Sequence, residues 1–198
     1  VSEHSNPKEV NEWYNLLSNQ EDIKISSYFE GNNGCILDNI FQSLEHKYCE
    51  APNQRYFSKA RYYFEQEDYM TSAMYLVAII ETRTNELMNY PKGTRYKQKY
   101  SMEGFEEHLQ TEFNKTDSFF TKRFLFLDMY PSIIEFLNRL FVDGEYSFGN
   151  GVEPPYINRN WLLHGKSCRV IERYECIQLF NALSVIEFVF LISNTLNE

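Results

Sequence analysis

The sequence predicts an all-α fold, a helical bundle with an additional N-terminal helical segment. Three observations predict it. Apolar residues recur at helical spacing along most of the chain. No segment alternates at period two between hairpin turns. The breaks between periodic stretches carry Gly, Pro or Asn. With 198 residues, 43% of them apolar and 17% aromatic, one domain can bury a large core, and the composition argues against disorder over most of the length.

The first helix is expected to start at Asn6-Pro7 with Glu9 as its capping acid, carrying Val10, Trp13, Tyr14 and Leu17 on one face. Gly31-Asn32-Asn33-Gly34 reads as a break. A second helix over Cys35–Tyr48 would turn Ile36, Ile40, Phe41 and Leu44 inward. Pro52 then divides the chain into an N-terminal extension, residues 1–50, and a main bundle, residues 51–198. Helices follow at about 53–66 and 68–89. The second is apolar on nearly all sides, which suits a central position. After Pro91 comes a basic and aromatic loop containing Arg95 and Lys97.

Further helices are expected at about 101–113 and 117–141, the latter kinked or restarted at Pro131. Residues 143–155 hold three glycines and two prolines and read as a long loop. Another helix opens after Pro154-Pro155, and a strongly apolar one spans about 170–195.

The net charge of −9 argues against a coat for duplex DNA or an anionic membrane, but a local patch can still hold an RNA phosphate. The longest apolar run, Val185–Ile192, is broken by Glu187 and is far too short to span a bilayer. Residues 1–30 carry no basic-then-apolar signal pattern. Cys35, Cys49, Cys168 and Cys176 lack zinc-site or CxxC spacing and read as free thiols of a reducing cytoplasm. His108 and Glu112 lie four apart, but no third metal ligand accompanies them. No metal or cofactor is expected.

One constellation carries chemistry. Arg159-Asn160-Trp161-Leu162-Leu163-His164, followed by Gly165, sets a fixed cation, an amide and an imidazole within about one and a half helical turns. Cleaving RNA without metal needs a base for the 2′-hydroxyl, an acid for the departing 5′-oxygen and a cation for the phosphorane. Histidine suits the proton transfers, and the arginine fork suits the phosphate. Asn160 can orient a phosphate, a hydroxyl or the imidazole. Arg159 and His164 stand about 140° apart on a regular helix, so a shared target calls for a distorted turn, a long Arg reach or a second copy. Gly165 would leave room beside the imidazole. Trp161 could pack in the core or stack a base, and Lys166 and the Arg95–Lys97 loop could guide phosphates. Arg169 and Arg173 could add positive potential, offset by Glu172 and Glu175. Glu81, alone in an apolar helix, needs a partner. Arg159 is one option, while Arg83 or solvent is preferred.

Asn158-Arg159-Asn160-Trp161-Leu162-Leu163-His164-Gly165 resembles the signature of the HEPN superfamily, an Arg followed by a polar residue, then a His and often a Gly. The helices Tyr69–Met88 and Glu172–Ile192 are similar to the early and closing helices of such domains. The resemblance covers roughly residues 53–198. It implies an up-and-down helical bundle, commonly dimeric, and a metal-independent endoribonuclease with Arg159 and His164 as the catalytic pair and Asn160 as accessory. Products would end in 2′,3′-cyclic phosphate. RNA, a second copy of the chain and an antitoxin or other protein are the partners it implies, in a toxin–antitoxin or phage-defence setting. The alternatives are a non-catalytic RNA-, nucleotide- or protein-binding module of the same type, and an oligomerisation module in which Arg159 and His164 pair across an interface.

Overall fold

The computed structural model describes residues 23–48, 53–87, 130–141 and 151–195. Among them lie six helices and no strand: α1 (Ile23–Tyr48), α2 (Gln54–Glu65), α3 (Tyr69–Leu87), α4 (Tyr130–Phe141), α5 (Arg159–Leu163) and α6 (Arg173–Thr195). The protein is all-α over these residues. The helices expected near residues 6–17 and 101–113, and the loop with Arg95 and Lys97, lie outside them.

α1 corrects one expectation. The helix runs through Gly31–Gly34 instead of breaking there. Gly34 takes a positive φ of +77° within it. Glycine costs a helix about 1 kcal/mol per residue. Phe29 on one side, and Leu37, Ile40, Phe41 and Leu44 on the other, enter the same core, and their burial outweighs that cost. The core is continuous across residue 50, since α1 shares it with α2, α3 and α6.

The helix directions follow from side-chain contacts. α1 lies along α6 with Glu30 beside Arg173 at one end and Tyr48 beside Glu187 at the other, so the two run parallel. α3 is also parallel to α6: Tyr69 meets Cys176 near their starts and Arg83 meets Glu187 near their ends. α2 runs against both neighbours, pairing its Phe57 with Tyr48 and accepting at the Ala60 carbonyl from the Ser72 hydroxyl.

Phe180 of α6 sits at the centre, fully buried. Phe41 of α1 and Phe57 and Phe64 of α2 meet its ring edge to face, at centroid distances of 4.9, 6.2 and 5.4 Å. This arrangement suits the ring quadrupoles. α4 starts at Tyr130 with Pro131 in its first turn, where the missing N–H costs nothing. It buries Ile133, Leu137, Leu140 and Phe141.

α6 is long and apolar enough to cross a membrane by length and composition alone, although 67% of that stretch is buried inside the bundle. It also carries Glu187, only 3% exposed. Arg83 spans both carboxylate oxygens, with Nε 2.5 Å from Oε1 and Nη2 2.9 Å from Oε2. The Tyr48 hydroxyl donates to Oε1 at 2.7 Å, and Lys47 Nζ donates to the Glu187 backbone carbonyl at 2.8 Å. Burial, reinforced by the Glu187 charge, pushes the Tyr48 hydroxyl well above the ordinary phenol value. The guanidinium of Arg83 also lies 3.9 Å over the Phe190 ring and pairs with Glu86.

Two predictions follow from this packing. Glu187→Ala leaves a half-buried guanidinium with only the exposed Glu86 as carboxylate partner, and a loss of about 3 kcal/mol is expected in urea unfolding. A loss below about 1 kcal/mol would show the pair to be dispensable. The second concerns thiols. Cys35 and Cys168 are exposed, whereas Cys176 is buried and directed at the Tyr69 carbonyl at 3.3 Å. Burial pushes the Cys176 thiol up to about 12. Since the thiolate is the nucleophile, iodoacetamide at pH 8 should label Cys35 and Cys168 in the native protein and Cys176 only after denaturation, as read by peptide mass spectrometry.

Candidate functional site

The segment 151–158 leads into α5 in a non-helical conformation and ends on Asn158. Asn158 has extended backbone angles and caps α5, its Oδ1 accepting from the N–H groups of Asn160 at 3.0 Å and Trp161 at 3.4 Å. Its Nδ2 donates to the Arg139 carbonyl in the last turn of α4, so the cap also ties α5 to α4. The sequence carries a signal for this cap, since Asn before a helical run is a strong N-cap.

α5 is only five residues long and closes at once. His164 is its C-cap. The Lys166 N–H reaches the Trp161 carbonyl at 2.9 Å and the Gly165 N–H reaches that of Leu162 at 3.2 Å. This is a Schellman closure, and Gly165 takes the left-handed conformation it requires, φ +68°. A Cβ on Gly165 would meet nothing within 4 Å, so the backbone angle, rather than space beside the imidazole, accounts for the glycine.

Arg159 occupies the first helical position. Its Nε donates to Glu81 Oε2 at 3.2 Å, Nη2 lies 2.9 Å from Glu81 Oε1, and Nη1 donates to Asn160 Oδ1 at 2.8 Å. The expectation that Glu81 pairs with Arg83 or solvent is therefore corrected. Residues two apart point about 200° away from each other on a helix. Arg83 faces Glu187 on one side of α3, and Glu81 faces α5 on the other. Both partners keep some solvent contact, with side chains 30% and 20% exposed.

The structure thus brings Arg159, Asn160 and Glu81 into one cluster. His164 stands at the far end of α5, exposed, about 7.5 Å along the axis from Arg159. Lys166 is exposed beyond it, and Trp161 is part-buried, its carbonyl also accepting the Ser167 N–H at 3.0 Å. Arg95 and Lys97 lie outside the described residues. Arg169 and Arg173 add little local potential: Arg169 is bound to Glu175 and Arg173 to Glu30. Glu153, which the sequence did not single out, braces the site from below by accepting from the Ser167 hydroxyl and the Cys168 N–H.

The cluster offers a guanidinium locked in plane, with at least one N–H on each terminal nitrogen uncommitted among the described residues. Such a group binds an anion end-on. Gly165→Ala is expected to cost about 1–2 kcal/mol in thermal or urea unfolding, the penalty of an L side chain at that φ. Gly165→Asn, bulkier but tolerant of positive φ, should cost less. The reverse order would show that space and not backbone selects the glycine. No family model, curated protein or solved structure matches the chain.

Proposed function

We propose that the protein is a metal-independent endoribonuclease of HEPN type, acting as a homodimer with α5 of each copy at the two-fold interface. The observation that carries this reading is the Arg159 guanidinium, fixed by Glu81 and Asn160 on a one-turn helix that ends on an exposed His164. A phosphodiester would take the uncommitted N–H groups of Arg159. One His164 removes the 2′-hydroxyl proton as the 2′-oxygen bonds to phosphorus. The P–O5′ bond breaks, and the second His164 supplies the proton to the leaving oxygen. The products carry 2′,3′-cyclic phosphate and 5′-hydroxyl ends. Two copies supply two imidazoles, and they remove the need for residues about 140° apart to converge within one chain. The reading carries with it a cytoplasmic location and, in a toxin–antitoxin or phage-defence setting, a protein antitoxin as partner.

The commitment of Arg159 to Glu81 favours one competing reading, a non-catalytic module in which the ion pair simply anchors α5 to α3. Mixed RNA incubated with the protein in EDTA separates the two. Cleavage to cyclic-phosphate ends is expected, reduced about 10²–10⁴-fold in His164→Ala and at least as strongly in Arg159→Ala. RNA bound without turnover would select the binding module. Cleavage by both variants at the wild-type rate would remove α5 from the chemistry.

A further inference from the structure

Six of the seven described arginines are bound to carboxylates: Arg61, Arg83, Arg139, Arg159, Arg169 and Arg173. Arg55 is the exception. Like Lys59 one turn further along α2, it is exposed and has no carboxylate within ion-pair distance among the described residues. The same face of α2 carries the most exposed described aromatics, Tyr56 at 48% and Tyr62 at 53%. Lys59 Nζ lies over the rings of Tyr62 and Tyr63 at 5.9 and 6.0 Å. Tyr75 of α3 extends the group, edge-on to Tyr56 at 5.5 Å and stacked on Tyr63 at 6.0 Å. On a chain of net charge −9, two cations without a carboxylate partner among the described residues, interleaved with the exposed Tyr56 and Tyr62 rings, form a local exception.

We infer that this face of the α2–α3 hairpin is a stacking platform for single-stranded RNA that leads the strand toward Arg159. Bases stack on exposed rings without sequence preference, and Arg55 and Lys59 meet the backbone phosphates. Folded duplexes, whose bases are already stacked, gain nothing from such rings. The platform and the proposed site share α3, on faces about 120° apart at Tyr75 and Glu81. Tyr75 lies six residues before Glu81, about 9 Å along the α3 axis. Met74, 40% exposed, stands on the same side of α3 as Glu81 at a spacing of seven, with part-buried Ala78 between them.

The inference takes its choice of RNA from the nuclease reading, and the test keeps the two apart. Binding of a fluorescein-labelled 12-nucleotide oligouridylate is measured by anisotropy with full-length His164→Ala protein, so that cleavage does not intervene. Adding Tyr56→Ala and Tyr62→Ala should weaken binding at least tenfold, while Tyr56→Phe with Tyr62→Phe should bind as the parent does. Arg55→Ala with Lys59→Ala should flatten the salt dependence by about 1.4 in slope, two phosphate contacts at roughly 0.7 each. Wild-type cleavage together with unchanged affinity in the Tyr→Ala variant overturns the platform alone. Affinity lost in that variant, with no cleavage by wild type, overturns the nuclease alone. A shift from dimer to monomer in sedimentation with unchanged RNA affinity identifies the face as a self-association surface and overturns the platform.

Discussion

A carboxylate inside the most apolar helix of the bundle constrains everything around it. Glu187 sits at 3% exposure, where an unpaired charge would cost several kcal/mol. Its compensation comes from other helices: Arg83 of α3, and Tyr48 and Lys47 at the end of α1. Apolar packing tolerates small slides of one helix along another, whereas a two-point guanidinium–carboxylate contact does not. The cluster therefore sets the longitudinal register of α1, α3 and α6 at one end of their parallel trio. At the other end Arg173, bonded to Glu30 and the Tyr69 hydroxyl, ties the same three helices again. Between the two polar ties lies the Phe180 cluster, which supplies burial but little register.

This constraint reaches the candidate site through the rotation of α3. Once Arg83 faces Glu187, helical geometry directs Glu81 about 200° away, toward α5. A five-residue helix has no stability of its own, because nucleation is unfavourable and only a few backbone bonds repay it. α5 exists because its neighbours hold it. Asn158 closes its start, the Schellman turn closes its end, Leu162 is buried beneath it, and the Arg159–Glu81 contact fastens it to α3. The orientation of Arg159 is thus inherited from Glu187 by way of α3.

The positions of α2, α3 and α6 were legible to within a few residues, because apolar periodicity and terminal Gly, Pro or Asn signals agree there. Ile40, Phe41 and Leu44 were legible as core for the same reason. What escaped depends on tertiary partners. Gly31–Gly34 reads as a break because local propensity cannot see that Phe29 and Leu37 enter the same core. The partner of Glu81 was misjudged because nearness in sequence favours Arg83, while rotation about the helix rules it out. Gly165 reads as spare room in a motif, but the five-residue length of α5 makes it a C-cap. Glu153 gave no sequence signal, since it acts on residues that a turn returns to it.

Net charge is a poor guide to what this surface can hold. Most described arginines are already neutralised by a carboxylate, so the residual potential comes from a few uncommitted groups. Arg159 is intermediate: its Nε side is occupied by Glu81, and Asn160 takes one Nη1 hydrogen. Any phosphate it meets must use the terminal edge of the guanidinium. Glu81 and that phosphate would then lie on different edges of one plane, with the cation between them. The carboxylate fixes the plane but also weakens the pull of the cation on the phosphate. An isolated Arg159 is therefore a better orienter than a binder, and under the proposed nuclease reading affinity for the strand would come from elsewhere on the protein. Arg55 and Lys59, which have no carboxylate partner among the described residues, and the exposed Tyr56 and Tyr62 rings carry chemistry suited to supply it.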